Sequence, residues 1–293
     1  MTDKIMKLLC YFRRFDLPFR RGKLYLNFCI HSEVIYDDRT YEAILKFSKQ
    51  FNALTGKKIV MCVSTPICPL VEKSLEERGL SREKFESRVL FLSNFAQIGY
   101  HGHFYPKGEE IIHHMRRATY DKDLVTGQIQ REMRWFNTIG LKPKIYVGGC
   151  WFMMKEIVLE LERVGIMVDV SIRKGKTDTF GAMYMDPSKM PDYGVPFILP
   201  PAKNIVEIQS IFGPVMPPPL MKFHLSKYAD ISGDEDLLFL FPMHDWDMPK
   251  YYGNIWANVE ELTRAGGSIG WMDVLEMREH YLNKLVKGTS ENR

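Results

Sequence analysis

The feature that most constrains the fold of this sequence is the alternation of short apolar, β-rich runs with longer helix-forming segments. The runs at 23–30, 58–63 and 95–100 are mostly apolar, as in strands buried on both faces. Parallel strands need a crossover connection between them, and that connection is usually a helix. The alternation therefore predicts an α/β fold built on a parallel sheet or a βα barrel. The further predicted strands are 144–147, 166–172, 205–211 and 237–243.

The segments between these runs carry the signals of helices. Residues 39–51 place apolar side chains on one side at helical spacing, and Asp38 precedes them as a predicted N-cap. Ser81 is the predicted N-cap of a further helix, and Gly165 is the predicted end of a helix at 151–164. The other predicted helices are 107–137, with an interruption near 120–126, then 258–264 and 272–286.

Composition limits the class of protein and its compartment. The chain has 293 residues, of which 45% are apolar and 26% charged, as in ordinary globular proteins. Its five cysteines have no regular spacing and form no CxxC, which favours a reducing compartment over a disulfide framework. Residues 1–19 lack the apolar core of a signal peptide, and no apolar run approaches the ~20 residues that span a bilayer. We therefore expect a cytoplasmic protein without a membrane span.

The charge pattern says little about partners. The formal net charge of +4 is spread along the chain, apart from one basic cluster near the N-terminus. This cluster is either a solvated face or a contact for a phosphate-bearing substrate or an anionic membrane surface. No stripe of basic and aromatic residues indicates nucleic-acid binding. We interpret residues 1–22 as a basic extension of one domain that covers 1–293. The cluster comprises Arg13, Arg14, Arg20, Arg21 and Lys23.

Potential metal ligands stand at the ends of several predicted strands. His31 and Glu33 follow the first run, His101 and His103 the third, and His244 the last. If the third strand continues, His101 and His103 project to the same face, because strand side chains alternate. The carboxyl ends of barrel strands form the active site of such folds. These side chains are therefore expected to converge, and two imidazoles on one face can hold a divalent metal ion.

The order of these motifs resembles the polysaccharide deacetylase family, the NodB-type or carbohydrate esterase family 4 proteins, especially divergent members from surface-polysaccharide loci. The family's "xIGxH" metal motif corresponds to 97–101 (QIGYH), and its "Pxx(F/Y)RxGGW" phrase to 143–151 (PKIYVGGCW). Its "LxxxGxxxDxS" stretch corresponds to 161–171 (LERVGIMVDVS), and its late histidine to His244. The resemblance extends from about residue 23 to 285 and depends on the shared order of the motifs.

The resemblance implies a single deformed (β/α)7-type barrel and a divalent metal, usually zinc. In the family, one acidic residue and two histidines hold the metal, and metal-bound water attacks an N-acetyl or N-formyl carbonyl on a sugar. An acidic residue of the first motif is the base, and the late histidine protonates the leaving amine. Here the implied metal residues are Glu33, His101 and His103, and the implied acid is His244. We expect Asp169 to orient His244. The substrate would be an N-acylated sugar, free in a glycan or linked to a nucleotide or lipid.

This sequence departs from the family pattern in ways that leave the mechanism open. The first motif is normally Asp-Asp or Asp-x-Glu/Asp, whereas here it is 31–33 (HSE). The family arginine that steadies the base is replaced by Val147, and the second metal histidine normally lies four or five residues beyond the first. His103 must therefore substitute for it.

Two arrangements of the site and two functions fit these residues. In the first arrangement, which we prefer slightly, Glu33, His101 and His103 bind zinc and His31 is the base. In the second, His31 joins the two later histidines as a ligand and Glu33 is the base. The predicted function is a metal-dependent carbohydrate N-deacylase. The alternative is a catalytically inactive barrel that binds carbohydrate or acts as a scaffold.

Overall fold

A nine-stranded sheet forms the centre of the computed structural model, which describes residues 22–105, 119–172, 184–229, 235–265, 267 and 269–291. The strand order is β6-β7-β5-β4-β3-β2-β1-β8, and β9 pairs with β1 beside this path. The strands are β1 (Leu24–Ser32), β2 (Ile59–Val63), β3 (Ala96–Gly102), β4 (Ile145–Gly148), β5 (Val168–Asp169), β6 (Phe197–Ile198), β7 (Val206–Glu207), β8 (Leu237–His244) and β9 (Ile269–Trp271).

The sheet curls into a ring of parallel strands. Every paired neighbour is parallel except β6, which lies antiparallel to β7. Beyond β7 the chain reaches β8, where Ser210 forms a parallel bridge with Leu240 and the amide of Ile211 donates to the Leu240 carbonyl at 3.0 Å. The path β1-β2-β3-β4-β5-β7-β8 thus closes on itself. The predicted α/β class and deformed (β/α)7-type barrel are confirmed.

Eight helices accompany the strands in the described part of the chain. Ser81 is an N-cap as predicted, since its hydroxyl accepts a hydrogen bond from the amide of Lys84. The first helix is capped one residue earlier than predicted, by Asp37, which accepts from the amide of Thr40. The helices are α1 (Asp38–Thr55), α2 (Pro69–Glu77), α3 (Arg82–Leu92), α4 (Lys122–Thr138), α5 (Lys155–Arg163), α6 (Pro218–Ala229), α7 (Met248–Ala265) and α8 (Val274–Glu291).

Strand alternation divides the buried apolar residues into two clusters. Small and β-branched side chains such as Cys29, Val147 and Val168 fill the narrow interior of the ring. Aromatic and larger side chains such as Phe28 and Tyr146 point the other way and pack in the larger cluster with residues of helices α1 to α7, whereas α8 contributes Val274 and Met277 to the interior cluster. The face on which a strand residue lies therefore decides whether it is inside the barrel or beneath the helices.

Several predicted boundaries are wrong for identifiable reasons. The strand predicted at 166–172 is reduced to Val168–Asp169, because β5 pairs over only two residues with each neighbour. The helix predicted from 151 starts at Lys155, since Cys150 and Trp151 have positive φ angles that a helix excludes. The helix predicted at 258–264 begins earlier, at Met248.

Some elements have no predicted counterpart, and some predictions fall outside the described residues. Helices α2 and α6 and strands β6 and β9 were not predicted, because each is short or begins beside proline or glycine. The part of the predicted helix at 107–118 and the basic extension up to residue 21 lie outside the described residues. Among the described helices, none is both long and apolar enough to cross a bilayer.

Candidate metal centre

The candidate site stands at the carboxyl ends of β1, β3 and β8. His31 is the penultimate residue of β1 and pairs in register with His244, the last residue of β8. His101 is the penultimate residue of β3. Glu33 and His103 each lie two residues further along the same chain, just beyond their strands. The two-residue spacing therefore keeps each pair on the side that faces the barrel interior.

Glu33, His101 and His103 form a compact triangle of donor atoms. Glu33 Oε1 lies 3.1 Å from His101 Nε2 and 3.1 Å from His103 Nε2, and the two imidazole nitrogens are 3.0 Å apart. In the described part of the chain, these are the three His, Cys, Asp or Glu side chains that each bring one donor atom within 4.8 Å of the others. Three atoms at this spacing can all lie about 2.1 Å from one common point, as ligands of a zinc ion do. Two histidines and one carboxylate fit a divalent metal.

The hydrogen bonding of His101 prepares its Nε2 atom for a metal. His101 Nδ1 lies 3.0 Å from the carbonyl oxygen of Val147, to which only a protonated nitrogen can donate. In the neutral ring the proton is then on Nδ1, and Nε2 presents its lone pair towards Glu33 and His103. A backbone carbonyl holding the second nitrogen is the usual arrangement of a metal-bound histidine.

The ring of His103 is fixed between a glycine and a tyrosine. A Cβ atom on Gly149 would collide with the His103 imidazole, so a glycine is required at that point of the loop after β4. Tyr105 stacks parallel to the imidazole, with ring centroids 5.9 Å apart and an interplanar angle of 6°. The predicted substitution of His103 for the missing downstream histidine is therefore consistent with where its ring lies.

Charge and burial act against each other at Glu33. Burial by itself would raise the pKa of this carboxyl group, but His103 and His101 outweigh it by charge and hydrogen bonding and hold the pKa well below its ordinary value. The carboxylate is therefore ionised at neutral pH, although the side chain is only 8% exposed. An ionised oxygen beside two imidazole nitrogens suits a cation.

His31 lies beside this triangle with a free ring nitrogen. Its ring centroid is 5.0 Å from that of His101 and 5.3 Å from that of His244. Burial first, and then the positive charge that His101 and His244 can carry, lower the pKa of His31 well below its ordinary value. Its Nε2 is buried and has no hydrogen-bond partner. His31 is therefore a neutral imidazole whose unpartnered nitrogen is available to a bound molecule.

Two tryptophans border the histidines. Trp246 stacks on His244 with ring centroids 4.1 Å apart and an interplanar angle of 7°, and it remains 43% exposed. Trp151 presents its ring to His31 at 5.8 Å, from a backbone with a φ of 62°. A non-glycine residue in the left-handed region is strained, and such strain concentrates at functional sites. The mouth of the barrel thus has aromatic walls.

Asp169 does not join this group. Its neighbours in the chain, Val168 and Val170, pack in the interior cluster, so alternation directs Asp169 to the opposite, helix-covered face. There it lies opposite Glu207 in register, and its Oδ1 accepts a 2.5 Å hydrogen bond from the Ser171 hydroxyl. Among the described residues, no hydrogen bond connects it to His244, so the expected orienting role of Asp169 stays a prediction without geometric support.

Two further carboxylates near the site were not predicted. Asp245 is fully buried, and its Oδ2 accepts from the Ser32 hydroxyl at 3.1 Å and from the Val34 amide at 2.7 Å, which holds the chain on both sides of Glu33. Burial raises the pKa of Asp245 to about 7, and it raises that of Glu132 on α4 to about 7 as well. Asp245 directly follows His244 in the sequence, whereas nothing in the sequence links Glu132 to the strand ends.

The comparisons with known proteins agree with this architecture. No family model matches the sequence, and no curated protein does. A polysaccharide deacetylase structure from Mycobacterium smegmatis superposes with a TM-score of 0.58 at 12% identity, over 90% of this chain and 92% of that chain. A 4-alpha-glucanotransferase from Thermococcus litoralis gives a TM-score of 0.54 at 14% identity, over 90% of this chain but 40% of that chain. The resemblance to polysaccharide deacetylases is thus confirmed for the fold.

Proposed function

We propose that this protein is a metal-dependent hydrolase that removes an N-acyl group, acetyl or formyl, from a sugar or sugar conjugate. One observation carries the proposal: Glu33, His101 and His103 present three donor atoms 3.0–3.1 Å apart at the mouth of the barrel. By analogy of fold alone, the similarity to the Mycobacterium smegmatis structure, which is described as a polysaccharide deacetylase, favours the same reaction class.

The bound metal would be held by these three residues, and we propose zinc. A zinc ion at this position would lower the pKa of water to about 7 and polarise the acyl carbonyl. Ligation by two imidazoles and one carboxylate leaves a position for water or substrate. The protein contributes the ionised Glu33 and the Nε2 lone pair of His101, which its bond to Val147 fixes.

His31 is proposed as the general base. It lies outside the donor triangle, and its pKa is lowered, so the ring is neutral at neutral pH and has one nitrogen that can accept a proton. These facts favour the arrangement with Glu33 as a ligand over the one with His31 as a ligand. The buried Nε2 atom needs a hydrogen-bond partner, and the water consumed in hydrolysis can supply it.

His244 is proposed as the acid that protonates the leaving amine. Its ring lies beside His31, and Trp246 stacks on it and keeps a partly exposed surface at the barrel mouth. An exposed aromatic ring at this place suits the apolar face of a sugar. A sugar over Trp246 would lie next to His244.

The linkage of the sugar and the compartment of the protein complete the proposal. The basic residues that suggested a nucleotide- or lipid-linked sugar lie outside the described residues, apart from Lys23. We therefore propose an N-acylated glycan or sugar without specifying its linkage. We propose a cytoplasmic location, which is supported by Cys29, Cys62 and Cys68, because these three buried cysteines form no disulfide bond in the described part of the chain.

Metal content and amide hydrolysis test the proposal together. Protein purified without added metal should contain close to one equivalent of a divalent metal by elemental analysis, and His101→Ala should contain only traces. The wild type should release amine and acetate or formate from N-acylated sugar oligomers, and a chelator should abolish this. A protein that takes up no zinc, but binds the oligomers, would instead be a carbohydrate-binding barrel.

A further inference from the structure

We infer that Glu132 is a positioning residue that, through Gln128, holds His103 in place and thereby sets the affinity of the metal centre. The inference rests on the proposed function, because it concerns a ligand of that centre. Glu132 belongs to helix α4 and does not touch the donor triangle. It acts on the backbone of His103 instead.

His103 needs such support because it lies beyond the end of its strand. The pairing of β3 with β4 ends at Gly102, which lies opposite Gly148. The carbonyl of His103 therefore has no partner in the sheet ladder. A ligand two residues after His101, instead of four or five, must come from this unpaired segment, and its backbone has to be fixed by other groups.

Gln128 supplies the missing partner. Its Nε2 donates to the His103 carbonyl at 2.6 Å and to Glu132 Oε1 at 2.6 Å. Gln128 and Glu132 are four residues apart on α4 and share one face of the helix. Both side chains are buried, so water does not compete for these bonds.

Thr65 fixes the other end of this chain of hydrogen bonds. Its hydroxyl donates to Glu132 Oε2 at 2.8 Å and accepts from the amide of Cys68 at 3.3 Å, where α2 begins. Both oxygens of Glu132 are therefore used, one by each neighbour. The loop after β2, helix α4 and the ligand segment after β3 are joined through a single carboxyl group.

The arrangement predicts an effect on metal affinity. Without an acceptor at position 132, the Gln128 amide loses one of its two bonds, and the His103 carbonyl is held less firmly. The imidazole would then spend less time 3.0–3.1 Å from its two partners. Removal of a group that hydrogen-bonds to a metal ligand typically weakens metal binding about 10–100-fold.

The test compares zinc affinity, measured by competition with a chromophoric chelator, in the wild type and matched variants. Glu132→Leu and Gln128→Leu should each bind zinc about 10–100-fold more weakly. Glu132→Gln should rescue affinity to within about threefold of wild type, because its amide oxygen accepts from Gln128 and its NH2 donates to the Thr65 hydroxyl. Glu160→Leu is the control, since Glu160 is also a buried helical glutamate but pairs with Arg163 on α5.

The outcomes separate this inference from the proposed function. A wild type without zinc binding overturns both. A wild type that binds zinc, with equal binding by a folded Gln128→Leu or Glu132→Leu variant, overturns the inference alone. Equal weakening by Glu160→Leu would also overturn it, because the effect would then reflect general destabilisation. Thermal unfolding of each metal-free variant shows that the compared proteins are folded.

Discussion

Buried polar groups occur on both faces of the sheet, and the two sets compensate the free-energy cost of burial in different ways. The mouth cluster (His31, Glu33, His101, His103 and His244) points into the barrel opening, and His31 Nε2 has no partner there. The outer pair (Asp169 and Glu207) is fully buried on the helix-covered face, where burial raises the pKa of both carboxyl groups. The raised pKa values allow one of these two carboxyl groups to keep its proton and donate it to the other within the protein, whereas in the proposed function a bound metal and water complete the mouth cluster. Changes at the mouth should therefore alter function, and changes at the outer pair should alter stability.

The largest effect is expected for His101→Ala at the mouth. Loss of one of three ligands should reduce zinc affinity by at least about 100-fold and hydrolysis by more than about 1,000-fold. The melting temperature of the metal-free protein should change little, because the substitution removes one imidazole from a crowded cluster of ionisable groups. Chelator competition, amine release and calorimetry measure the three quantities. Loss of folding in place of metal binding would contradict the distinction between the two faces.

His31→Gln tests whether His31 is the general base or a metal ligand. Removal of a general base should lower kcat about 100- to 10,000-fold, while zinc affinity stays within about threefold of wild type. The comparison of zinc titration with steady-state kinetics decides between the two arrangements of the site. A fall in zinc affinity as large as that of His101→Ala would make His31 a ligand and Glu33 the base.

Glu207→Ala should damage the outer face without affecting the mouth. It leaves the Ile172 amide, which donates to Glu207 Oε1 at 3.0 Å, without its acceptor and removes the partner of Asp169. The free energy of unfolding should fall by about 2–3 kcal/mol. Glu207→Gln keeps an acceptor and a donor, so its unfolding free energy should fall by less than half as much as that of Glu207→Ala. Urea denaturation measures both changes. Unchanged zinc affinity in both variants would show that the outer pair acts on stability alone, and weakened zinc affinity would contradict this.

The outer pair should also make stability depend on pH. Burial raises the pKa of Asp169 from 3.8 to about 6, despite hydrogen bonds from Glu207 and Ser171 that lower it. The folded state therefore holds this proton more tightly than the unfolded state. The stabilisation is complete below about pH 4 and is lost as the pH rises through 6.

The magnitude follows from about 1.4 kcal/mol for each pKa unit. The unfolding free energy of wild type minus that of Asp169→Asn should fall by on the order of 2–3 kcal/mol between pH 4 and pH 7.5. Urea denaturation at several pH values measures this difference. A difference that is constant with pH, or that grows, would contradict the raised pKa of Asp169.

Trp246→Ala should give the smallest effect. Loss of one stacking surface costs about 0.5–1.5 kcal/mol, which corresponds to a KM increase of roughly 2- to 12-fold with zinc affinity unchanged. Trp246→Phe should restore most of the loss. If KM is unaltered for every N-acylated sugar tested, Trp246 does not contact the substrate as proposed.

The sequence predicted the parts of this structure that depend on local pattern. The apolar runs that became β1, β2, β3 and β8 are at least five residues long and nearly uncharged, so their extent and their polar ends were readable. His31, Glu33, His101 and His103 were correctly expected to converge, because two-residue spacing at a strand end keeps side chains on one face.

The placement of Asp169 and the support of His103 could not be predicted in this way. A strand of two residues has no period from which to read its inward face, and the sequence separates Glu132 from Thr65 by 67 residues. Strand ends and ligand types were thus determined by the sequence itself, since they follow from side-chain alternation and hydrophobic pattern. The tertiary structure alone decided which carboxylates face the barrel mouth and which groups hold the ligands, because those choices depend on how distant segments pack.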